Sequence, residues 1–366
     1  MQSFPGMSSP QVFDSICRQW RSRLDTSHEY SVIQNDSIFR ANLADSCVLE
    51  SEYQQVRKLR KRLIKEYEGI PLEEALPGEE ICSPEGDCYC IRGSAGIEFH
   101  RPDNARIMNR LENDFTLIYG IGEKTERSLK RRGYQTIHDL VHHRRFGRGA
   151  SEYLERLANL HPYDISLLIS RWHSPSHFLN ILSSGLYQDT DFVFLDLETL
   201  GFFSRPIILF GIAEVSAGAL KISQYLLRDI SEEFGALQVI KKHLDENRVL
   251  VTYNGKSFDI PYLRERFAFY GDINRVAHPH YDLLHFARRK WKDSFPDCSL
   301  QTIEKNLFQV ARSEDVPGAM IPEFYECYLK TGNPGPLVPI VVHNRQDLIS
   351  LVRLFCLLRE ISYDCC

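Results

Sequence analysis

No apolar run in the 366 residues approaches the length needed to cross a bilayer, so no membrane-spanning helix is expected. The opening MQSFPGMSSP lacks a basic start followed by an apolar stretch, so no signal peptide is expected. There is no internal repeat and no low-complexity segment. There is no large charge excess either: 44 Lys and Arg against 49 Asp and Glu give a net charge of −5. The total does not suggest a nucleic-acid binder, but carboxylates at a metal site and a basic groove elsewhere cancel in the sum. Paired-Cys zinc spacing is missing as well. Cys82, Cys88 and Cys90, with His100 beyond, do not match common zinc knuckles, and buried thiols in a strand account for them. Ten cysteines without an export signal read as reduced thiols in a cytoplasm. Cys327 and Cys356 lie in apolar runs, where Cys behaves as a small hydrophobe, and the adjacent Cys365–Cys366 pair has no assigned role. What is present, 43% hydrophobic and 25% charged residues, suffices for a sizeable core and for one large domain or two ordinary ones.

Three zones follow one another. Residues 1–106 are mixed and of uncertain fold. Within them Glu50 to Tyr67 reads as a basic amphipathic helix, with Val56, Leu59, Leu63 and Ile64 at helical spacing. Pro71 and Pro77-Gly78 break the chain, and Cys88 to Ile91 reads as a short strand. Residues 107–175 are helical in pattern and punctuated by Gly120, Gly122 and Gly133. Residues 185–366 change character. Apolar runs at Phe192–Leu195, Ile207–Val215, Leu220–Leu227 and Arg248–Tyr253 read as strands, the second and third joined as a hairpin near Gly218. Helices are expected over 232–244, 260–270, 283–290, 300–308 and 344–361. The zone is therefore α/β, a mixed β-sheet flanked by helices, preceded by a smaller, mostly helical region.

Carboxylates stand out in this third zone. Asp196 and Glu198 end the first strand, and residues two apart on a strand share a face. Like charges that close are unfavourable unless a cation neutralises them, and hard oxygen donors suit Mg²⁺ or Mn²⁺. A solvated strand end would show the same pair. Asp259 closes Tyr253-Asn254-Gly255-Lys256-Ser257-Phe258-Asp259 and opens a helix, where it could equally be an N-cap. His343 and Asp347 are four apart and share a helix face, or they form a polar first turn with Asp347 favoured by the helix dipole.

In combination LDLET, YNGKSFDIPYL and HNRQD resemble the three ordered motifs of the DEDD exonuclease superfamily, which has the ribonuclease H-like fold. SLQTIEKNLF, DVPGAMIPEFYECYL and HNRQDLISL are similar to the later segments of the YprB-like exonuclease group. The likeness covers roughly residues 190–360. His343 keeps the spacing to Asp347 found in Tyr-type members, as in the YprB-like group, so its role is less firmly implied than that of the acids.

The resemblance implies a two-metal 3′–5′ exonuclease in which Asp196, Glu198, Asp259 and Asp347 hold two Mg²⁺ or Mn²⁺ ions about 4 Å apart. One ion would activate a water and the other stabilise the leaving 3′-oxygen, while His343 orients or deprotonates the water. Thr199, Asn254 and Phe258 would contact the substrate strand, Phe258 by stacking or else by core packing. Asp282 matches a family segment and is expected to order the fold near the site. Arg288, Arg289 and Lys290 follow the substrate backbone or form an exposed basic helix end. A helicase partner is also implied.

Upstream, Tyr119-Gly120-Ile121-Gly122-Glu123-Lys124 leads into a helix, and Gly133 to Ile137 into another. This resembles a helix-hairpin-helix unit, in which glycines let backbone approach phosphate and helix-terminal amides bind it. Gly120, Gly122 and Lys124 are the candidate DNA-binding residues. Eight Lys and Arg against three acids between Gly120 and Ala150 make this zone basic. Packing alone would also explain such a hairpin, and His138, His142 and His143 read as a solvated helix face. The functions expected are a DNA exonuclease of DNA repair or processing, an RNA 3′-end exonuclease, or a non-catalytic nucleic-acid-binding scaffold.

Overall fold

The computed structural model describes residues 30–33, 46–97, 99, 103–159, 161–201, 204–216, 218–245, 247–272, 278–312 and 314–364. His100 and the Cys365–Cys366 pair lie outside these residues. The strands are β1 (Tyr30–Ile33), β2 (Ser46–Leu49), β3 (Glu79–Ile81), β4 (Cys88–Ala95), β5 (Phe192–Thr199), β6 (Ile207–Ser216), β7 (Ala219–Leu226), β8 (Val249–Thr252) and β9 (His280–Asp282). The longer helices are α1 (Glu50–Glu66), α2 (Asn104–Asn113), α3 (Glu123–Arg131), α4 (Gly147–Asn159), α5 (Pro162–Trp172), α6 (Glu233–His243), α7 (Asp259–Phe269), α8 (Leu283–Trp291), α9 (Ile321–Thr331) and α10 (Leu337–Asp364).

A seven-stranded mixed sheet runs in the order β3-β4-β7-β6-β5-β8-β9. From β3 to β5 the neighbours are antiparallel, and β5, β8 and β9 are parallel. The hairpin expected near Gly218 joins β6 to β7. β5 is buried on both faces, as its unbroken Phe-Val-Phe-Leu run requires. Side chains alternate along it. Val193, Leu195 and Leu197 join a core with α1, α6, α7 and α9; Phe192 and Phe194 join another with α8 and α10.

Several expectations are corrected. The strand expected over Cys88 to Ile91 is β4, and with β3 it extends the sheet by pairing with β7, so the sheet is not confined to residues 185–366. The short β9 was missed because its three residues carry no alternation to read. The segment 300–308 is one α-turn, Leu300–Ile303, followed by a π-turn, Glu304–Phe308. The last helix starts at Leu337, not near 344, because Pro339 in a first turn forfeits no intrahelical hydrogen bond. The segment after Gly133 forms only a single turn, Ile137–Leu140, closed by a Thr136–Asp139 capping box.

A third apolar core, including Ile107, Leu111, Phe115, Leu129 and Ile169, belongs to the helical region. Among the described residues no helix is long and apolar enough to cross a membrane.

Candidate active site

Asp196 and Glu198 continue the even-numbered series of β5, so both carboxylates leave the sheet on the side of α10. Facing them are His343, Asn344 and Asp347. Because α10 begins two turns earlier than expected, these residues sit well inside the helix, and the dipole at its start does not explain Asp347. Asp259 is the first residue of α7 and does not cap it. Its Oδ1 accepts instead from the backbone N–H of Leu197 on β5, at 3.1 Å. That bond ties the start of α7 to the strand between the two β5 acids.

Asn344, in the HNRQD segment but given no role from sequence, is fully buried and central. Its Nδ2 donates to Asp196 Oδ2 at 2.7 Å and to the Asp196 carbonyl at 3.1 Å. Its Oδ1 accepts from Gln224 Nε2 at 2.9 Å. Gly211 on β6, paired with Asp196, makes room for it: a Cβ there would meet Asn344 Oδ1 at 2.3 Å.

Three further residues were missed: Glu304, Arg312 and Asp315. His343 Nδ1 donates to Asp315 Oδ1 at 2.6 Å, which leaves Nε2 4.0 Å from Glu198 Oε1 and 3.4 Å from Asp347 Oδ2. Arg312 forks onto Glu304 at 2.7 and 2.8 Å, and the same guanidinium reaches the Asp347 carboxylate. Glu304 is buried, and Ser350 also donates to it. Glu304 and Asp315 fall in the quoted segments SLQTIEKNLF and DVPGAMIPEFYECYL, but neither was given a role from sequence.

The acids share an unfavourable environment. Burial lifts the Asp196 carboxyl far above the usual range, and Asp347, Glu198 and Asp259 add their repulsion. Burial pushes Glu198 up to about 8, eased by His343 and reinforced by Asp347 and Asp259. Burial raises Asp259 to about 7 against the backbone amides that favour its charged form. Asp347 is raised by burial and held down by His343 and Arg312. Burial opposes the charged form of His343, but Asp315, Asp347 and Glu198 outweigh it and lift the imidazole to about 9.

Two buried carboxylates, Glu198 and Asp259, and two half-buried ones, Asp196 and Asp347, repel one another and offer hard oxygen donors, a set that fits Mg²⁺ or Mn²⁺. Asp196, Glu198, Asp259 and Asp347 are the residues that would hold such ions. Among the described residues no three potential ligands already converge at coordination distance, and Asp347 is engaged by Arg312.

Beside Glu198 lies a cavity of about 320 Å³ lined by Thr199, Asn254 and Phe258 on one side and by Gly318, Ala319 and Pro322 on the other. The three residues expected to touch substrate are thus brought together next to an acid. Asn254 adopts φ 64°, a left-handed conformation that Asn tolerates. Phe258 is half-buried against Tyr262 yet still lines the cavity. Asp282 is buried and orders this turn, accepting from the amides of Asn254 at 2.8 Å, Lys256 at 3.0 Å and Leu284 at 3.2 Å.

Gly120, Gly122 and Lys124 are exposed on the separate helical core. Gly120 takes φ +81°, Gly122 precedes α3 as its N-cap, and Ile121 between them is buried. Tyr119, 79% exposed, lies against Trp172 with ring centroids 5.5 Å apart and the planes tilted by 46°. Of the three histidines, His143 accepts from the amides of Arg145 and Phe146, while His138 lies 3.7 Å from Glu112. Arg289 reaches Ser174 at 3.1 Å. Cys88 and Cys90 are buried thiols in β4, pushed by burial up to about 12 and about 11, and Cys82 is exposed.

Residues 193–359 match the family model of the RNase H superfamily. The chain is 33% identical over 197 residues to the uncharacterized protein YprB of Bacillus subtilis (strain 168), an alignment covering 52% of this chain and 47% of that protein. The chain thus spans about half the length of the curated relative it matches. A solved family B DNA polymerase from the hyperthermophilic archaeon Pyrobaculum calidifontis aligns with a TM-score of 0.35 and 16% identity, over 44% of this chain and 24% of the polymerase. The chain is ribonuclease H-like over residues 193–359 and YprB-like over about half its length.

Proposed function

We propose that the protein is a divalent-metal-dependent 3′–5′ exonuclease that hydrolyses phosphodiester bonds of DNA. The observation that carries this reading is the gathering of Asp196, Glu198, Asp259 and Asp347 around one another, with His343 alongside. A protein that only bound nucleic acid would have no need to gather four mutually repelling acids out of full contact with water.

When bound at these acids, divalent ions supply an activated water near neutral pH and neutralise charge on the phosphate. The chain's own residues do the rest. Asp315 holds Nδ1–H of His343, so that Nε2 faces the acids and is placed to orient the attacking water or take its proton. Asn344 fixes Asp196 through the carboxylate and the backbone of the same residue. Thr199, Asn254 and Phe258 shape the neighbouring cavity for the terminal nucleotide. The 3′–5′ direction rests on family resemblance. The preference for DNA rests on the exposed Gly120–Gly122 turn and the basic character of residues 120–150.

The test is incubation with Mg²⁺ or Mn²⁺ and end-labelled single-stranded DNA, duplex DNA and RNA, with Asp347→Ala as control. Stepwise release of mononucleotides from DNA 3′ ends, lost in the variant, is expected. Faster shortening of RNA would reassign the substrate, and full activity in Asp347→Ala would remove the site. For the hairpin, DNA affinity should fall with salt and should weaken in Gly120→Val with Lys124→Glu.

A further inference from the structure

The turn after β8 contributes to two cavities. Asn254 lines the one beside Glu198; Lys256 lines a second, of about 260 Å³, between α5 and the start of β9. Asp282 holds both residues through their amides, so the two walls are joined by at most about 7 Å of ordered chain.

One face of α5 is turned to this second cavity. Tyr163, Ser166, Leu167 and Ser170 follow the i, i+3, i+4, i+7 spacing, while Ile165 and Ile169 are buried in the helical core. Tyr163 and Leu167 remain 38% and 53% exposed, so this face keeps apolar surface with no packed neighbour covering it. The opposite wall carries one cation, Lys256, beside two imidazoles, His278 and His280, whose charged forms burial disfavours. His280 is pushed down to about 3 by burial and then by Lys256, Arg264, His278 and His285. The Lys256 ammonium has no salt-bridge partner among the described residues; burial disfavours its charge, and the Asp282 carboxylate that favours it is already shared among three amides. A free phosphate would use only the cation. The hydroxyls of Ser166 and Ser170 are engaged by Ser183, Tyr281 and Asn180, so a phosphodiester with its attached base would use the cation and the Tyr163 ring together.

We infer that the cavity between α5 and β9 is a second nucleotide subsite, which takes a phosphodiester of a single strand against Lys256 and the neighbouring base on Tyr163. The strand would run there from the terminal nucleotide beside Thr199, Asn254 and Phe258. This inference rests on the nuclease reading. It assigns the helical region a role at the active site, as one wall of the substrate channel.

The experiment measures the affinity of the full chain for labelled single-stranded dinucleotides and hexanucleotides by fluorescence anisotropy in Ca²⁺. It compares wild type with Lys256→Gln, Lys256→Glu and Tyr163→Ala, and uses a nucleoside 5′-monophosphate and inorganic phosphate as competitors. In the wild type the hexanucleotide should bind about tenfold or more tighter than the dinucleotide, and this gain should largely vanish in each variant. Inorganic phosphate should compete poorly. A length gain that survives in all three variants overturns the subsite. So does a wild type that binds inorganic phosphate at Lys256 as well as it binds the hexanucleotide. Hydrolysis of bis(p-nitrophenyl) phosphate by the wild type, measured in parallel, tests the nuclease reading separately. Its absence with the length gain intact removes that reading and leaves the strand-binding site standing.

Discussion

The Asp315 carboxylate accepts a 2.6 Å hydrogen bond from His343 Nδ1, and that bond determines which ring nitrogen faces the acid cluster. Sequence spacing alone left the role of His343 open. The pair gives the ring a fixed orientation, with Nε2 directed to Glu198 and Asp347. Asp315→Asn should therefore lower kcat about 10- to 100-fold with little change in KM. His343→Ala should lose at least as much, and adding Asp315→Asn to it should cost little more. Single-turnover kinetics on an end-labelled strand would check this, and additive losses would show that the two residues act separately.

The metal-free protein should lose stability as pH rises. Glu198 goes from an ordinary 4.5 to about 8 in the fold, and Asp259 from 3.8 to about 7. Between those values the folded chain holds protons that the unfolded chain has released, so stability falls as pH rises. His343, lifted from 6.5 to about 9, acts in the same direction, its contribution being complete below 6.5 and lost through about 9. Thermal unfolding in EDTA should give a Tm that declines from pH 5 to pH 9, by the equivalent of about 1 kcal/mol or more. Mn²⁺ should raise Tm more at pH 8 than at pH 6, since its ligands must give up their protons. A Tm that rises with pH in EDTA would contradict the burial of these acids.

Gly211→Ala should damage the site without touching any ionisable group. Its Cβ would enter the space of the Asn344 amide and displace the two hydrogen bonds to Asp196. Overpacking of this kind costs about 1–3 kcal/mol. Nuclease activity should fall more steeply than stability does, because Asp196 loses its support. Denaturant unfolding and activity measured on the same sample would separate the two effects.

Arg312 is the most demanding of the missed residues. Arg312→Met leaves Glu304, 1% exposed, without its bidentate partner and should destabilise by about 3–5 kcal/mol. Adding Glu304→Leu to Arg312→Met should recover much of that loss, since no buried charge then stands alone. Urea denaturation of the two single variants and the double variant gives the coupling.

The four acids were readable because strand and helix periodicities are local. Asp196 and Glu198 share a strand face, and His343 and Asp347 share a helix face, whatever the rest of the chain does. The hairpin of β6 and β7 was readable for the same reason, two apolar runs with a glycine between them. The partners of those groups were not readable. Asn344 reaches Asp196 across 148 residues, and Gly211 is needed only because α10 crosses β6 at that point. Glu304 opens the π-turn, Arg312 and Asp315 lie in the connection after it, and only packing against α10 brings them to His343 and Asp347. Cys88 to Ala95 became part of the sheet because β7 offered an edge to pair with, and edge pairing leaves no mark in a single strand's sequence. The sequence by itself determined which acids share a strand face or a helix face and which element presents each one. Tertiary structure alone decided how those side chains are oriented, buried and charged, because desolvation and hydrogen-bond partners are properties of neighbours distant along the chain.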